Sequence, residues 1–390
     1  MSHHELTEQE QRAFNQEITK SWALDYFYAF DNIPLKFHYK DHLVKRELTE
    51  LMQRNRALTE GIWLDSYNLD CVCNVPHLYL YRPHALQLPL QAYQRGSGQP
   101  VPISEEDSQG RTYRTADEFK AHFDAWMSKE GTDLLDKLRK EPATAEWMIL
   151  QGSPDRTMRL VSVLPLGNRV IAECIITWTE NGVIKETAFP VILLYDIDGT
   201  VLMDRSYCDL IGWPSSPGSK YRARAFKSGT AQQGQTKGAL DTYLNRYNSR
   251  KVDMKLDSTE KRNKQLTEGP WVDAYNTLDT RIFQPERYRR QLPLQHISYK
   301  LNTAKQIESK IKEVSPDRKI RTVNTYAIGN QVVAECIISW TESGIYKETP
   351  FISFLLFDHE GLIIRERSYI TLDHCPGAAH VAKELGIALD

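Results

Sequence analysis

The side chains best placed for acid/base chemistry lie near the end of the first half of the chain. The segment "VLMDRSYCD" alternates as a β-strand does, and a period of two puts Asp204, Ser206 and Cys208 on one face. Arg205 and Tyr207 then lie on the other face. A carboxylate of this kind acts as an acid or a base when its face lines an apolar cavity.

A second candidate is His122, in the segment "TADEFKAHFDAW", which we interpret as a helix. Histidine titrates near neutral pH and is therefore suited to proton transfer. If it meets Asp204 in an apolar site, burial and mutual attraction shift the pKa values of such a pair toward useful acid/base work. A single helix histidine is more often a surface or structural residue, so both interpretations stay open.

Other catalytic and metal-binding motifs are missing from the sequence. It contains no Gly-rich phosphate loop, no H-E-x-x-H, no G-x-S-x-G and no convincing metal cluster. We therefore expect chemistry without a cofactor. The six cysteines include one close pair, "CVC", which lacks the spacing of a zinc site, so free thiols and a cytoplasmic location are expected.

Composition limits the partners of this protein. Its 390 residues carry a formal net charge of -2, with 41% hydrophobic and 26% charged residues, which argues against disorder and against a nucleic-acid partner. No apolar run approaches the roughly 20 residues needed to cross a bilayer, and the first residues, "SHHELTEQEQ", do not resemble a secretion signal. We expect a small-molecule partner and no membrane.

The chain contains an internal duplication. "AECIITWTENGVIKET" begins at Ala172 and "AECIISWTESGIYKET" at Ala334. When residues 153–209 are aligned with residues 315–371, 29 of the 57 positions are identical. Upstream, "LTEGIWLDSYN" returns as "LTEGPWVDAYN" at an offset of 208 rather than 162. The first half therefore holds 46 more residues between its two conserved blocks, and we interpret part of them as a long loop of the kind that forms lids.

These repeats divide the chain into two folded units. We assign residues 1–213 to an N-terminal extension and a first domain, 214–238 to a Gly/Ser-rich linker, and 239–390 to a second domain. Phe14, Ile18 and Trp22 have helical spacing in residues 8–30, and a second helical stretch covers "LVKRELTELMQRNRAL".

We interpret "WLDSY" and "WVDAY" as short first strands. This places Trp63, Asp65 and Tyr67 on one side, with Trp271, Asp273 and Tyr275 as their counterparts. Because both halves keep the motif, a shared packing role is favoured over a reaction made by one half.

The repeated stretch is predicted to be a β-hairpin. Residues 170–179 alternate, with one wholly apolar face that carries Trp178, and Asn181 and Gly182 suit a tight turn. Pro190 in the next strand predicts a bulge or an edge, because proline cannot donate to the ladder. Glu173 and its counterpart Glu335 lie on the more polar face, and we interpret them as structural or interface residues.

The final strands resemble the nuclear-transport-factor-2-like, or SnoaL-like, superfamily. Its pattern "F-x-x-x-D-G-x-I-x-x-x-R-x-Y-x-D" is similar to "LLYDIDGTVLMDRSYCD" and "LLFDHEGLIIRERSYIT". Within the superfamily the nearer resemblance is to phenazine-biosynthesis A/B proteins. It implies an α+β fold of two tandem conical barrels, each a curved antiparallel sheet wrapped around helices, paired as an internal pseudo-dimer through their sheets. A further homodimer stays open.

The resemblance also implies a site. The phenazine A/B proteins pair a helix histidine with a glutamate on the last strand, and His122, with Trp126 close by, lies where that histidine would be. The second half has Lys310 there. The glutamate position is taken by Ser206, so Asp204 is the candidate replacement.

These observations predict a cytoplasmic, cofactor-independent enzyme of small-molecule biosynthesis that isomerises, cyclises, condenses or dehydrates its substrate. His122 and Asp204 are the predicted catalytic pair. The residues predicted to contact substrate are Ser206, Trp178, Asp65, Tyr67 and Trp126. The alternative is a noncatalytic metabolite-binding or scaffold protein. Epoxide hydrolysis would need an arginine beside two carboxylates, and the predicted faces separate Asp204 from Arg205.

Overall fold

A computed structural model of the chain contains two β-sheets with matching strand order. It describes residues 43–44, 46–64, 81–89, 153, 155–197, 199–207, 241, 244–245, 250–295, 297–370 and 375–385. The first helix predicted at residues 8–30, the 46-residue difference and both domain boundaries lie outside these residues and stay predictions.

Each sheet places the duplicated hairpin between the final strand of its half and one further strand. The first sheet has the order β1-β5-β4-β3-β2 and the second the order β7-β6-β11-β10-β9-β8. The strands of the first sheet are β1 Tyr81–Pro89, β2 Thr157–Leu166, β3 Arg169–Glu180, β4 Val183–Tyr195 and β5 Val201–Ser206. Those of the second are β6 Arg289–Leu292, β7 Ile297–Lys300, β8 Lys319–Ile328, β9 Gln331–Glu342, β10 Ile345–Phe357 and β11 Ile363–Tyr369. The predicted α+β class with two curved sheets is confirmed, although one parallel strand in each sheet, β1 and β6, was not expected.

The predicted hairpins are confirmed. β3 and β4 pair without interruption up to Glu180 and Val183, and Asn181 and Gly182 take the left-handed backbone that a two-residue turn requires, with φ of 53° and 75°. Pro190 does not cause a bulge, since it keeps its register opposite Glu173. Nor does it mark an edge, because β4 lies between β3 and β5 and the carbonyl of Pro190 accepts from the backbone N–H of Tyr207 at 2.9 Å.

Two predictions about the helices are corrected. The first described helix, α1, spans Glu50–Leu58, because the side chain of Thr49 accepts from Met52 and caps it. Residues 43–44 and 46–49 are not helical. The "WVDAY" motif is not a strand: the π-helical turn Thr267–Trp271 runs directly into the helix Val272–Thr277.

The remaining helices cover the second sheet. They are α2 Ser258–Leu266, α3 Val272–Thr277, α4 Leu301–Val314 and α5 Ala378–Leu385. The inner face of β9 packs against α3 and α4 in one buried cluster, through residues such as Cys336, Ile338 and Trp340. The helices thus fill the concave side of the sheet, as the resemblance implies.

The convex sides of the two sheets pack against each other. Ile171, Ile175 and Ile192 of the first sheet share a buried cluster with Val333 and Ile337 of the second. Alternation along β3 and β9 therefore sends one face into the domain interior and the other into the seam between the domains. The predicted pseudo-dimer is this seam.

The seam contains two reciprocal buried ion pairs. Arg367 donates from Nε to Oε1 of Glu173 at 2.7 Å and from a second nitrogen to Oε2, and Tyr369 donates to the same carboxylate at 2.9 Å. In the opposite sense, Arg205 pairs with Glu335 at 2.5 Å and Tyr207 donates to it at 2.7 Å. Both halves supply the same three residue types, so the pairs obey a pseudo-twofold symmetry. The prediction that Glu173 and Glu335 are interface residues is confirmed.

The segments that precede the first helix of each half cross the seam. Val252 donates from its backbone to Asn168 of the first sheet at 2.8 Å, and Val44 donates to Asn330 of the second at 3.0 Å. Gly167, with φ of 63°, lies so close to the carbonyl of Val252 that a β-carbon would overlap it. Each arm therefore docks on the other domain's turn, and the turn needs glycine.

We expect Gly167→Ala to lower the free energy of unfolding by about 2–4 kcal/mol, because the methyl group would displace the arm as well as strain the backbone. Gly182→Ala is the matched control. It has φ of 75° and no neighbour within 4 Å, so only the left-handed strain of about 1 kcal/mol applies. Urea unfolding measures both, and equal losses would contradict the docking of the arm.

Breaking the seam at one partner should also be costly. Arg367→Met leaves Glu173 buried without its counter-charge, and we expect a loss of about 3–5 kcal/mol. The double variant Glu173→Met with Arg367→Met should lose less than the single one. Lys347→Met, which removes an exposed pair with Glu342, should change stability by about 0.5 kcal/mol at most. If the loss in free energy of unfolding of the double variant equals the sum of the losses of Arg367→Met and Glu173→Met, the two side chains are not coupled.

Candidate functional site

A buried carboxylate lies on the inner face of the final strand in each domain. Asp204 of β5 is 3% exposed and Glu366 of β11 is 0% exposed. The two occupy equivalent positions of the duplication, and the next residue of each strand, Arg205 or Arg367, faces the seam. Asp204 and Arg205 thus face opposite sides of β5, as the alternation of the strand predicts.

In the second domain, Glu366 is enclosed by hydrogen-bond donors. Tyr275 donates its hydroxyl to the carboxylate at 2.7 Å, Tyr288 at 3.0 Å and Ser368 at 2.9 Å. Trp271 donates from its indole nitrogen at 3.2 Å. We call these four donors and Glu366 the Glu366 cage.

Helical geometry brings two of these donors together. Trp271 ends the π-helical turn, and Tyr275 lies four residues later, so both face the interior and their rings meet edge to face at 5.6 Å. Asp273, between them, is exposed. The strand predicted from the sequence would place Trp271, Asp273 and Tyr275 on one side, whereas the helix turns Asp273 away from the other two. The prediction of a strand for this motif was therefore wrong.

A ring of charges supports the cage. Arg290 lies 3.4 Å from Glu366 and 5.0 Å from the ring centre of Tyr275, and it pairs with Glu308 of α4 at 2.5 Å. Arg318 pairs with the other oxygen of Glu308. Although burial raises it, the charges of Arg318 and Arg290 hold the pKa of Glu308 below its usual value.

The Glu366 cage is suited to holding charge, not to moving protons. Burial raises the pKa of the Tyr275 and Tyr288 hydroxyl groups well above their ordinary range, so both stay protonated donors. A carboxylate that already accepts from several donors has no free lone pair for a substrate proton. We therefore assign the cage to structure.

In the first domain, Asp204 keeps part of this arrangement. Trp63, the counterpart of Trp271, donates its indole N–H to the carboxylate at 3.3 Å, and Ser206 lies 3.4 Å from its other oxygen. Trp63 ends a π-helical turn, Thr59–Trp63, that follows α1 directly. The repeated tryptophan therefore hydrogen-bonds a carboxylate in both domains, which goes beyond the packing role expected for it.

The same wall of the first domain contains a buried thiol. Burial, and then the negative charge of Asp204, raise the pKa of Cys174 well above its ordinary value. The thiol is therefore protonated and inert as a nucleophile. Cys174, Cys336 and Cys375 are free thiols, as expected.

Several predicted site residues cannot be placed. His122, Trp126, Asp65 and Tyr67 lie outside the described residues, and their roles stay predictions. Trp178 is 4% exposed on the inner face of β3, at the hairpin end, so it belongs to the interior wall.

The position in the second half that corresponds to His122 is described by the structure. Lys310, the residue opposite His122 in the duplication, has a side chain that is 43% exposed and pairs with Glu384 of α5 at 2.5 Å. The charged residue that α4 turns inward is Glu308 instead, and the same alignment places Lys120 opposite it. This counterpart position gives no support to an inward-facing histidine.

The sequence interpretation missed Tyr288 and Arg290. Both come from "RYRRQL", which precedes and opens β6, and their alternation with Arg289 is the signal that would have placed them on one face. Glu308 was missed because it lies one turn from Ala304 on an amphipathic helix, where a charge on the buried face is uncommon.

Among the residues that the structure describes, no group of three or more His, Cys, Asp or Glu side chains has the geometry to hold a metal ion. Among the described helices, none is both long and apolar enough to cross a membrane.

Comparisons with known proteins found similar solved structures of low sequence identity. No family model and no curated protein matches the chain. TsrD from Streptomyces laurentii is 19% identical and covers 34% of this chain and 100% of its own, with a TM-score of 0.25. A SnoaL-like protein from Jannaschia sp., classed as a polyketide cyclase, is 14% identical over 35% of this chain and 99% of its own, with a TM-score of 0.26.

A protein with a ketosteroid isomerase-like fold from Catenulispora acidiphila is also 14% identical, covers 30% of this chain and 90% of its own, and has a TM-score of 0.24. Two of these three structures are thus described as SnoaL-like or as having a ketosteroid isomerase-like fold. Each spans about a third of the chain. The similarity is too low for the reaction of any of them to be transferred, and the likeness to phenazine A/B proteins stays a prediction.

We expect Glu366→Gln to lower the free energy of unfolding by about 2–4 kcal/mol, because an amide turns an N–H group toward hydroxyl donors and leaves Arg290 with one carboxylate fewer. Glu342→Gln, at a half-exposed position on β9, should change it by about 0.5 kcal/mol at most. Chemical denaturation of both variants measures the difference. A loss for Glu366→Gln as small as that of the control would show that the cage is not structural.

Proposed function

We propose that this protein is a cofactor-independent acid/base enzyme of small-molecule biosynthesis, with its reaction in the first domain. The reaction class is isomerisation, cyclisation, condensation or dehydration of a substrate that forms an enol or an imine. Asp204 is the proton-transferring carboxylate and His122 its partner. Ser206, Trp178, Trp126, Asp65 and Tyr67 contact or enclose the substrate.

The observation that carries the proposal is the burial of Asp204. A buried carboxylate that accepts from the indole N–H of Trp63, with Ser206 beside it, is the kind of group whose protonation a bound substrate can change. Its position on a central strand fixes it rigidly, because β5 is paired on both sides, with β4 and β1.

The second domain serves the first as a fixed partner. Its equivalent carboxylate, Glu366, is committed to the cage, and the counterpart of His122 pairs on the outside of α4. Its contribution is the seam, where Glu335 holds Arg205, the neighbour of Asp204. In this proposal the first domain carries the reaction and the second supports it.

A noncatalytic metabolite-binding or scaffold role is the second candidate. It is favoured by the completeness of the Glu366 cage, which turns one of the two interior carboxylates into a structural group. If the interior carboxylate of the first domain is also structural, Asp204 is held by a similar set of donors and the protein binds a metabolite without turnover.

The test is metabolite profiling in the producing organism after deletion of the gene, with complementation by variants. We expect an intermediate to accumulate on deletion and wild type to clear it, whereas Asp204→Asn and His122→Ala fail. Asp204→Glu restores the longer carboxylate found at Glu366 and should recover part of the activity. Thermal unfolding of each purified variant shows whether a loss is one of chemistry or of folding.

The matched control is His359→Ala, which removes an exposed histidine from the turn between β10 and β11. It should complement as well as wild type. If His122→Ala and Asp204→Asn both restore the profile, neither side chain transfers a proton, and the noncatalytic role is the better one.

A further inference from the structure

A group of positive charges lies at one side of the seam. The Nζ atom of Lys251 donates to Asn324 at 2.8 Å and lies 5.7 Å from the ring centre of Tyr326. The guanidinium of Arg169 lies 4.7 Å from the centre of the same ring. Two cations therefore lie over one aromatic ring. The quadrupole of the ring attracts both cations but carries no net charge that could neutralise them.

The carboxylates nearby are already engaged. Glu335 is paired with Arg205 and accepts from Tyr326. Asp253 pairs with Arg169 at 2.6 Å, but its side chain is 82% exposed, so water screens it. Among the described residues, no carboxylate comes within ion-pair distance of Lys251. The half-buried ammonium group therefore has no ion-pair partner among the described residues.

A buried donor points to the same conclusion. The Nε atom of Arg169 is buried and has no acceptor within the described part of the chain, although the rest of this side chain is engaged. A buried donor without a partner costs free energy, and an anionic oxygen is the acceptor that a guanidinium group prefers.

The duplication shows that the fold does not need these charges. At the equivalent position of the other half of the chain, Leu43 corresponds to Lys251 and Gln331 corresponds to Arg169. Leu43 packs against Leu356 and Ile364 in a small apolar cluster. One side of the seam is thus closed by apolar packing, whereas the equivalent side carries an excess of positive charge.

The electrostatic environment of Lys251 favours an anion beside it. Burial, and then the positive charge of Arg169, lower the pKa of its ammonium group to about 8, with Arg205 acting in the same direction and Glu335 and Asp253 opposing it. An anion placed beside the ammonium group would reverse this shift.

We propose that Lys251 and Arg169 form a binding site for a small oxyanion, the carboxylate or phosphate group of a metabolite, at this side of the seam. The guanidinium Nε–H and the ammonium group are the donors, and Tyr326 is the floor. The site joins the segment before α2 to the start of β3, so an anion bound there stabilises the docking of that segment on the first domain. This site is independent of the chemistry proposed for Asp204.

The test is a thermal-unfolding titration of the full chain with sodium phosphate, and separately with sodium acetate, with chloride keeping the ionic strength constant. Two variants carry the residues of the opposite side, Lys251→Leu and Arg169→Gln. Since the other half folds with leucine and glutamine there, both should fold. Lys264→Leu removes an equal charge from an exposed pair on α2 and serves as the control.

We expect phosphate to raise the Tm of the wild type and of Lys264→Leu by about 2–4 °C and to leave the Tm of Lys251→Leu and Arg169→Gln unchanged. A response to acetate as well would identify a carboxylate group as a sufficient ligand, and a response to phosphate alone would identify a phosphate group. Equal shifts in all four proteins, or no shift in the wild type, would overturn the proposal.

Discussion

The two domains are held in register by a carboxylate and a guanidinium that meet, twice, inside the seam. Each pair is desolvated, and each is completed by a tyrosine hydroxyl, so neither charge remains uncompensated. Arg205 belongs to the strand that carries Asp204, and adjacent residues of a strand point to opposite faces. The contact that fixes the seam therefore also fixes the carboxylate inside the first domain.

Duplication and divergence have separated what the fold requires from what it does not. Both halves retain the seam pairs, the hairpin turns and the tryptophan that donates to an interior carboxylate. They differ in the carboxylate itself: Glu366 is enclosed by tyrosine, tryptophan, serine and arginine side chains, whereas Asp204 is one methylene shorter and accepts from Trp63. They differ again at the seam, where Lys251 replaces an apolar contact.

Much of the sheet architecture could be predicted because strand signals are local. Alternation along β3 places Glu173 toward the seam and Trp178 toward the interior, and the Asn181–Gly182 pair marks the turn. The tryptophan motif was misjudged because W-x-D-x-Y satisfies a period of two by residue type alone. Its true period appears only when Trp271 and Tyr275 are seen to meet around Glu366, across a large separation in sequence.

The sequence by itself determined the internal repeat, the hairpins, the two faces of each strand and the candidate status of Asp204, because these depend on repeated segments and on periods of two residues. Only the tertiary structure decided which partner each buried charge meets. Whether a carboxylate can act as a base, is enclosed in a cage of donors or forms an ion pair in the seam depends on donors that come from distant segments. Their convergence is a property of packing and leaves no local signal in the sequence.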